Sequence, residues 1–292
     1  MTEANKSFLS ENATVAKVDK VLIFGENSVG KSASAATALL DAPDDRRLIY
    51  LMTERNAAGG LEWGLKHHEV EVKEGQVIYV FPKEKKKAFS DINRALGSFM
   101  QQTKVDALKG DGKTTQGKEN YTFLINIIKA LENFKGIDYL TGEEVSIGNV
   151  GNLNENDILF VDGLSPIGKE VWNSTVGDKI AISQNDYMPA QNLMYGILSE
   201  LSKLACHVVL YAHERAKTDD GGNLIRTEVQ TWVGNSNYST LMGLFTDVIH
   251  AKRDGLQYRW EVNAPKLHAS SRRIESSEKN IEPNFAKYNF FT

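Results

Sequence analysis

The sequence predicts an α/β fold with a mainly parallel central sheet, a C-terminal antiparallel hairpin and a helical insertion. Three observations carry this expectation. Short, continuous apolar runs recur at VDKVLIF (Val18 to Phe24), LIYLM (Leu48 to Met52), QVIYVF (Gln76 to Phe81), ILFVD (Ile158 to Asp162) and HVVLYA (His207 to Ala212). Continuous rather than alternating runs mark strands covered on both faces. Helix-period segments separate them, so the strands are joined by crossovers and lie parallel. Near the end, VIHAKR and LQYRWEV flank Asp254-Gly255, a two-residue turn signal for a hairpin.

The elements follow in order. Residues 1–17 are polar and aperiodic and read as a flexible arm before a single domain, 18–292. After the first strand comes GENSVGKS, then SAATALL, whose Ala and Leu favour helix until Asp41-Ala-Pro43 stops it. Residues 83–157 read as an insertion or elaborated edge: KEKKK at 83–87, two helical patterns (Phe89, Ile92, Leu96, Phe99; Phe123, Leu124, Ile127, Ile128, Leu131), then a surface excursion from Gly136 to Asp157 rich in Gly, Asn and acids. A helix is expected around Asn192 to Ala205 and a loop from His213 to Asn223.

Composition narrows the classes. Of 292 residues, 41% are apolar and 25% charged, the balance of a packed chain rather than a disordered or collagen-like one. Lys plus Arg is 34 and Asp plus Glu 38, so the formal net charge is −4, and any nucleic-acid contact must be local. The single cysteine, Cys206, cannot form an internal disulfide, and no apolar run approaches the ~18 residues of a membrane span. A reducing, cytoplasmic location and no membrane partner are the expectation.

The chemistry concentrates at Gly25-Glu26-Asn27-Ser28-Val29-Gly30-Lys31-Ser32, followed by Ala33, which fits G-x-x-x-x-G-K-[ST]. Glycines in such a loop let backbone N–H groups converge on phosphate oxygens. Lys31 is expected on the β- and γ-phosphates of a nucleotide, and the Ser32 hydroxyl on Mg²⁺. A second carboxylate must help hold that ion from the end of a buried strand beside the loop's own strand, and Asp162 fits. Because Gly163-Leu164 follows it, the residue that polarises the attacking water must come from elsewhere; Glu54, just past LIYLM, is the candidate. His213, at the tip of VVLYAHER, is the candidate γ-phosphate sensor. Trp63 reads as a core aromatic, with cover of an adenine as the alternative.

Four features in this order, a P-loop, a Glu one strand later, an Asp after an apolar strand and a polar strand tip, resemble the RecA-like branch of P-loop ATPases. GENSVGKS, LMTERN, ILFVDGLSPIG, DYMPAQNLMYGILSELSKLACHVVLYAHE and FTDVIHAKRDGLQYRWEV look like the short phage-encoded recombinase-paralogue ATPases of the Sak-four class. The likeness spans roughly residues 18–82 and 136–291. It implies ATP and Mg²⁺ as cofactors, a ring or filament of identical subunits, single-stranded DNA as partner, a role in recombination or strand annealing, and contact with a single-strand-binding protein. It also implies a DNA-contacting segment at His213 to Tyr238, with Arg215, Lys217, Arg226 and Trp232, although Asp219, Asp220 and Glu228 leave that segment neutral and an oligomer contact is equally compatible. Lys266, Arg272 and Arg273 stand where such proteins offer cations to a neighbour's γ-phosphate; exposed surface charge is the alternative. A helicase or packaging motor, and a nucleotide-gated assembly scaffold without DNA, are the rival classes.

Overall fold

The computed structural model describes residues 18–54, 57–82, 122–176, 183–219, 221–233, 238–264, 269–275 and 277–292. The expected arm at 1–17, the KEKKK run, the first helical pattern of the insertion and Lys266 lie outside them. Among the described residues the strands are β1 (Lys20–Gly25), β2 (Arg47–Met52), β3 (Val77–Val80), β4 (Phe134–Asp138), β5 (Glu144–Gly148), β6 (Asp157–Asp162), β7 (His207–Thr218), β8 (Leu224–Val229), β9 (Asp247–Asp254), β10 (Gln257–Glu261) and β11 (Asn280–Ile281). The helices are α1 (Lys31–Ser34), continued as a 3-10 turn over Ala35–Leu39, α2 (Ala57–His67), α3 (Thr122–Glu132), α4 (Leu164–Thr175), α5 (Gln184–Lys203) and α6 (Tyr238–Met242).

The strands form one sheet in the order β11-β10-β9-β1-β7-β6-β2-β3-β4-β5, with β8 paired to β7 off this path. The six from β9 to β3 are parallel, and β1 and β6 are buried along their whole length, as continuous apolar runs require. Side chains alternate between two cores. Val21, Ile23, Tyr50, Phe160 and Tyr211 face α1, α2 and the C-terminal segment. Leu22, Phe24, Ile49, Leu51, Val161 and Leu210 face the other layer, where α3, α4 and α5 lie. From β1 the chain crosses to β2 on one side, while β9 later fills the other, so the connections diverge at β1 and leave a crevice at the carboxyl ends of the strands.

Three expectations change. Gly136 to Asp157 lies largely at the surface but is not irregular: β4 and β5 make an antiparallel hairpin on the sheet edge beside β3. Asp138 makes this possible, its carboxylate accepting the N–H groups of Leu140 and Thr141 at 2.8 Å and of Gly75 at 2.6 Å, an Asx-type turn. The segment His213 to Asn223 is likewise no loop, because β7 continues to Thr218 and pairs with β8 as a projecting hairpin. In the β9–β10 hairpin, Asp254 pairs with Gln257, so the turn is Gly255-Leu256, one residue later than expected, with Gly255 at φ +61°.

The C-terminal segment closes the first core. Phe285 packs on Trp260 and Phe291, with ring centres 4.8 and 4.9 Å apart, and its N–H donates to Thr37 Oγ1 at 2.9 Å. Asp19, buried before β1, anchors this strap: it accepts the Phe291 N–H at 2.7 Å and pairs with Arg273. Burial alone raises the Asp19 carboxyl, but the neighbouring His207 and the hydrogen bonds from Arg273 and Phe291 outweigh it and hold the group below its usual range. A depressed carboxylate contributes stability that is complete above the unfolded value of about 3.9 and is lost as pH falls through the lower folded value. Asp19→Asn is therefore expected to cost about 2–3 kcal/mol at neutral pH and to shrink the acid loss below pH 4; urea melts at both pH values measure it, and a wild-type acid limb retained in the variant would assign that loss to other groups.

Candidate active site

The loop from Gly25 to Ser32 joins β1 to α1. Gly30 sits in the left-handed region at φ +82°, a conformation that glycine adopts without strain and that turns the chain into α1. The Lys31 ammonium is buried and curls over the loop, donating to the carbonyls of Gly25 at 2.9 Å and Glu26 at 2.5 Å. Burial pushes its pKa down, opposed by the charges of Asp162, Glu54, Glu214 and Glu26. Of the expected loop residues, Asn27, Ser28, Gly30, Lys31, Ser32 and Ala33 line a cleft of about 680 Å³. Val29 instead packs into the core, and a Cβ on Gly25 would meet the Ala251 carbonyl oxygen at 2.0 Å.

Asp162 reaches the same cleft from the end of β6. This strand is not beside β1, as the sequence led us to expect, since β7 lies between them. The carboxylate nevertheless meets the loop, with Oδ2 accepting from Ser32 Oγ at 2.6 Å. The same oxygen accepts from the Tyr50 hydroxyl at 2.9 Å. Asp162 is only 5% exposed, and burial raises its pKa while the Ser32 and Tyr50 hydrogen bonds and the Lys31 charge pull it down and Glu54 adds to the rise. Burial and the Asp162 charge push the Tyr50 phenol well above its usual range, so it stays a donor.

Glu54 follows β2 and lies opposite His213 on β7, Oε1 to Nε2 at 2.7 Å. That hydrogen bond holds the Glu54 carboxyl below its usual range; burial opposes it, and the charges of His213 and Lys31 add to it. His213 is beside Gly25 in the β1–β7 register, and its backbone N–H donates to Ser165 Oγ at 2.9 Å, whose hydroxyl in turn donates to the Gln230 carbonyl at 2.7 Å. Of the catalytic and metal candidates, Lys31, Ser32, Asp162, Glu54 and His213 thus share one cleft.

Two aromatic residues complete the walls. Trp63 lines the cleft, 47% exposed and stacked on His67 at 4.4 Å, so it is not a core residue. Tyr258, which the sequence reading missed, comes from β10 and stands edge-on to Trp63 at 6.3 Å, with Arg253 over its ring at 5.7 Å. Nothing local marks Tyr258; only the β9–β10 pairing brings it over Gly30. Close approach of α2 to α1 sets the cleft's width. A Cβ on Gly60 would lie 2.8 Å from Ser32 Cβ, and one on Gly64 would lie 2.2 Å from the Ala33 carbonyl oxygen.

The projecting β7–β8 hairpin carries Arg215, Lys217 and Arg226. Both arginines pair with Glu228, which is fully buried, Arg215 at 3.1 Å. Lys217 is exposed, as are Leu224, Ile225 and Trp232; the Lys169 ammonium lies 5.8 Å from the Trp232 ring centre. Arg273 is committed to Asp19 and to the Asn289 carbonyl at 2.6 Å. Arg272 is exposed, its N–H on Asp247 at 3.1 Å.

The cleft suits a phosphorylated ligand with a divalent cation. It offers a buried ammonium held by two backbone carbonyls, a hydroxyl and a carboxylate in contact, and a volume within the usual 300–1,000 Å³ of small-molecule sites. Fold and cleft together define a mainly parallel α/β protein with a P-loop between its first strand and first helix. No described protein family matches the chain, and no curated protein sequence does. Among solved structures it is similar to the assembled ATPase EscN of the type III secretion system of enteropathogenic E. coli, at 12% identity and a TM-score of 0.37, over 81% of this chain and 43% of that one. It is also similar to a second solved ATPase domain, at 10% identity and a TM-score of 0.27, over 86% of this chain and 81% of that one. The chain spans less than half of the EscN chain's length.

Gly64→Val should force α2 away from α1, at a cost of about 1–3 kcal/mol for an overpacked contact. The cleft widens with it, so affinity for a phosphorylated ligand in the cleft is expected to fall along with the melting temperature. Gly59→Ala, where an added Cβ meets nothing within 4 Å, is the matched control: it should leave affinity unchanged and raise the melting temperature slightly, since alanine suits a helix better than glycine.

Proposed function

We propose that this chain is a RecA-like P-loop ATPase that binds Mg²⁺-ATP in the cleft, hydrolyses it, and acts on single-stranded DNA as a ring or filament in phage recombination or strand annealing. One observation carries the enzymatic part: Lys31, the Ser32–Asp162 pair and the Glu54–His213 pair, drawn from the loop after β1 and from three other strands, converge on a single cleft. Lys31 would leave its two carbonyl partners for the phosphates. Ser32 and Asp162 would hold Mg²⁺, which supplies charge neutralisation on the β- and γ-phosphate oxygens. Glu54, ionised and held by His213, would orient a water and accept its proton as the water oxygen bonds to the γ-phosphorus and the bond to the β-phosphate oxygen breaks. Trp63 and Tyr258 would bracket the base, an apolar and sequence-tolerant recognition surface.

The DNA part rests on the hairpin. Lys217, Trp232 and the neighbouring Lys169 offer charge and a stacking face for phosphate and base. Assembly across subunits would bring Arg272 or Lys266 toward a neighbour's γ-phosphate, the trans charge that such reactions use; Arg273 is the weaker candidate because its guanidinium already serves the strap. A second reading, a nucleotide-gated assembly without DNA, draws support from the same hairpin: Arg215 and Arg226 are both spent on Glu228, and Leu224 and Ile225 are 63% and 51% exposed. Turnover with and without single-stranded DNA, imaged in parallel for rings or filaments, separates the two, and DNA-driven translocation would favour a motor instead.

Lys31→Ala should abolish binding of a fluorescent ATP analogue, and Glu54→Gln should keep binding while losing roughly 10²-fold or more in turnover. Undiminished affinity in the first variant would sink the phosphate site; near-normal hydrolysis in the second would move the base to another carboxylate. On the hairpin, Lys217→Ala should lower the slope of log affinity against log salt by about 1 for single-stranded DNA, and Trp232→Ala should weaken binding without changing that slope. Equal binding by all three proteins would hand the hairpin to assembly.

A further inference from the structure

Tyr50 lies in the middle of β2, fully buried, and is not among the residues that line the cleft. Its position follows from register. Met52 pairs with Asp162 and Tyr50 with Phe160, so Tyr50 is the diagonal neighbour of Asp162 on the same sheet face, within reach of a long side chain. The ring stacks on Phe160 at 5.5 Å and 9°, which fixes where the hydroxyl points. That hydroxyl donates to Asp162 Oδ2.

Ser32 Oγ donates to the same oxygen, but the two donors belong to different parts of the molecule. Ser32 takes part in the chemistry of the cleft, since a hydroxyl that turns its lone pair to a metal ion gives up its own donation to Asp162. Tyr50 belongs to the core, and the ring stack leaves its hydroxyl in place. When Ser32 turns away, the phenol is the donor that keeps a carboxylate on the tip of β6 from rotating. We propose that Tyr50 is a positioning residue that presents the Asp162 carboxylate to a divalent cation, so that its hydroxyl sets metal affinity and leaves nucleotide affinity alone. This rests on reading the cleft as a Mg²⁺-nucleotide site.

Tyr50→Phe deletes the hydroxyl and keeps the ring. Mn²⁺, titrated by electron paramagnetic resonance in saturating ADP, should bind about 10- to 100-fold more weakly, the usual loss when a hydrogen bond behind a metal ligand is removed. ADP affinity in EDTA should match the wild type, and the hydrolysis rate should climb back toward it as Mg²⁺ is raised. Phe160→Leu removes the stacked ring and leaves the hydroxyl; it should lower the melting temperature with a smaller loss of Mn²⁺ affinity than Tyr50→Phe. Wild-type Mn²⁺ affinity in Tyr50→Phe overturns the proposal, and so does an equal loss of ADP binding in EDTA, or equal Mn²⁺ losses in the two variants. A wild-type chain in which Mn²⁺ does not bind in the presence of ADP overturns both this proposal and the reading beneath it.

Discussion

A carboxylate buried at the tip of an apolar strand is costly unless donors and charge surround it, and Asp162 imposes that requirement on the whole upper end of the sheet. Its side chain is met by the Ser32 hydroxyl from α1 and the Tyr50 hydroxyl from β2. Behind its backbone, Thr53 Oγ1 donates to the Asp162 carbonyl at 2.6 Å. The next residue, Gly163, turns at φ +117° into α4, where a Cβ would lie 1.8 Å from that same Thr53 hydroxyl. The strand order explains why so many elements take part. With β7 between β1 and β6, the loop after β1 cannot reach the tip of β6 through a shared ladder, so the meeting is made by side chains alone.

Two helices then decide what else can approach. α1 is a single turn followed by a 3-10 turn, and α2 packs against it at glycines 60 and 64 with no room for a Cβ. Glycine inside a helix costs about 0.5–1 kcal/mol relative to alanine, so their placement on the α1-facing side, while Gly59 on the same helix faces open space, reflects close packing and not helix stability. That packing brings Trp63 to the rim of the cleft, opposite Tyr258, which arrives from β10.

Legibility in the sequence followed the range of the interactions. The P-loop was readable because its signal is local: glycines, a lysine and a hydroxyl at fixed spacing between a strand and a helix. Glu54 and Asp162 were readable as strand tips, because buried parallel strands are continuous apolar runs and the polar residue after each one falls at the sheet's carboxyl edge; His213 was readable as the end of such a run but not as a strand tip, since β7 continues past it to Thr218. Tyr50 was visible only as a strand residue; its role depends on register with Phe160 and Asp162, which no single run encodes. The β7–β8 hairpin was hidden because its strands are mostly polar where they pair and carry no continuous apolar run there; a buried Glu228 answering two arginines holds them instead. The strap from 285 to 292 went unread because its partner Asp19 lies over 260 residues away in the chain.

The strand that joins the cleft to that hairpin is held at three consecutive residues by three different neighbours. His213 is bound to Glu54 beside β2. Glu214 points to the opposite face, where its carboxylate meets His250 Nε2 of β9 at 2.6 Å while Glu261 of β10 takes Nδ1 at 2.7 Å. Arg215 is held by Glu228 of β8. Burial alone would lower the pKa of His250, but its two carboxylates raise it and so favour the charged ring, which bridges strands on either side of β1. Because 213, 214 and 215 alternate in direction, these contacts hold β7 from both faces of the sheet, at the point where it leaves the cleft and becomes the first strand of the hairpin.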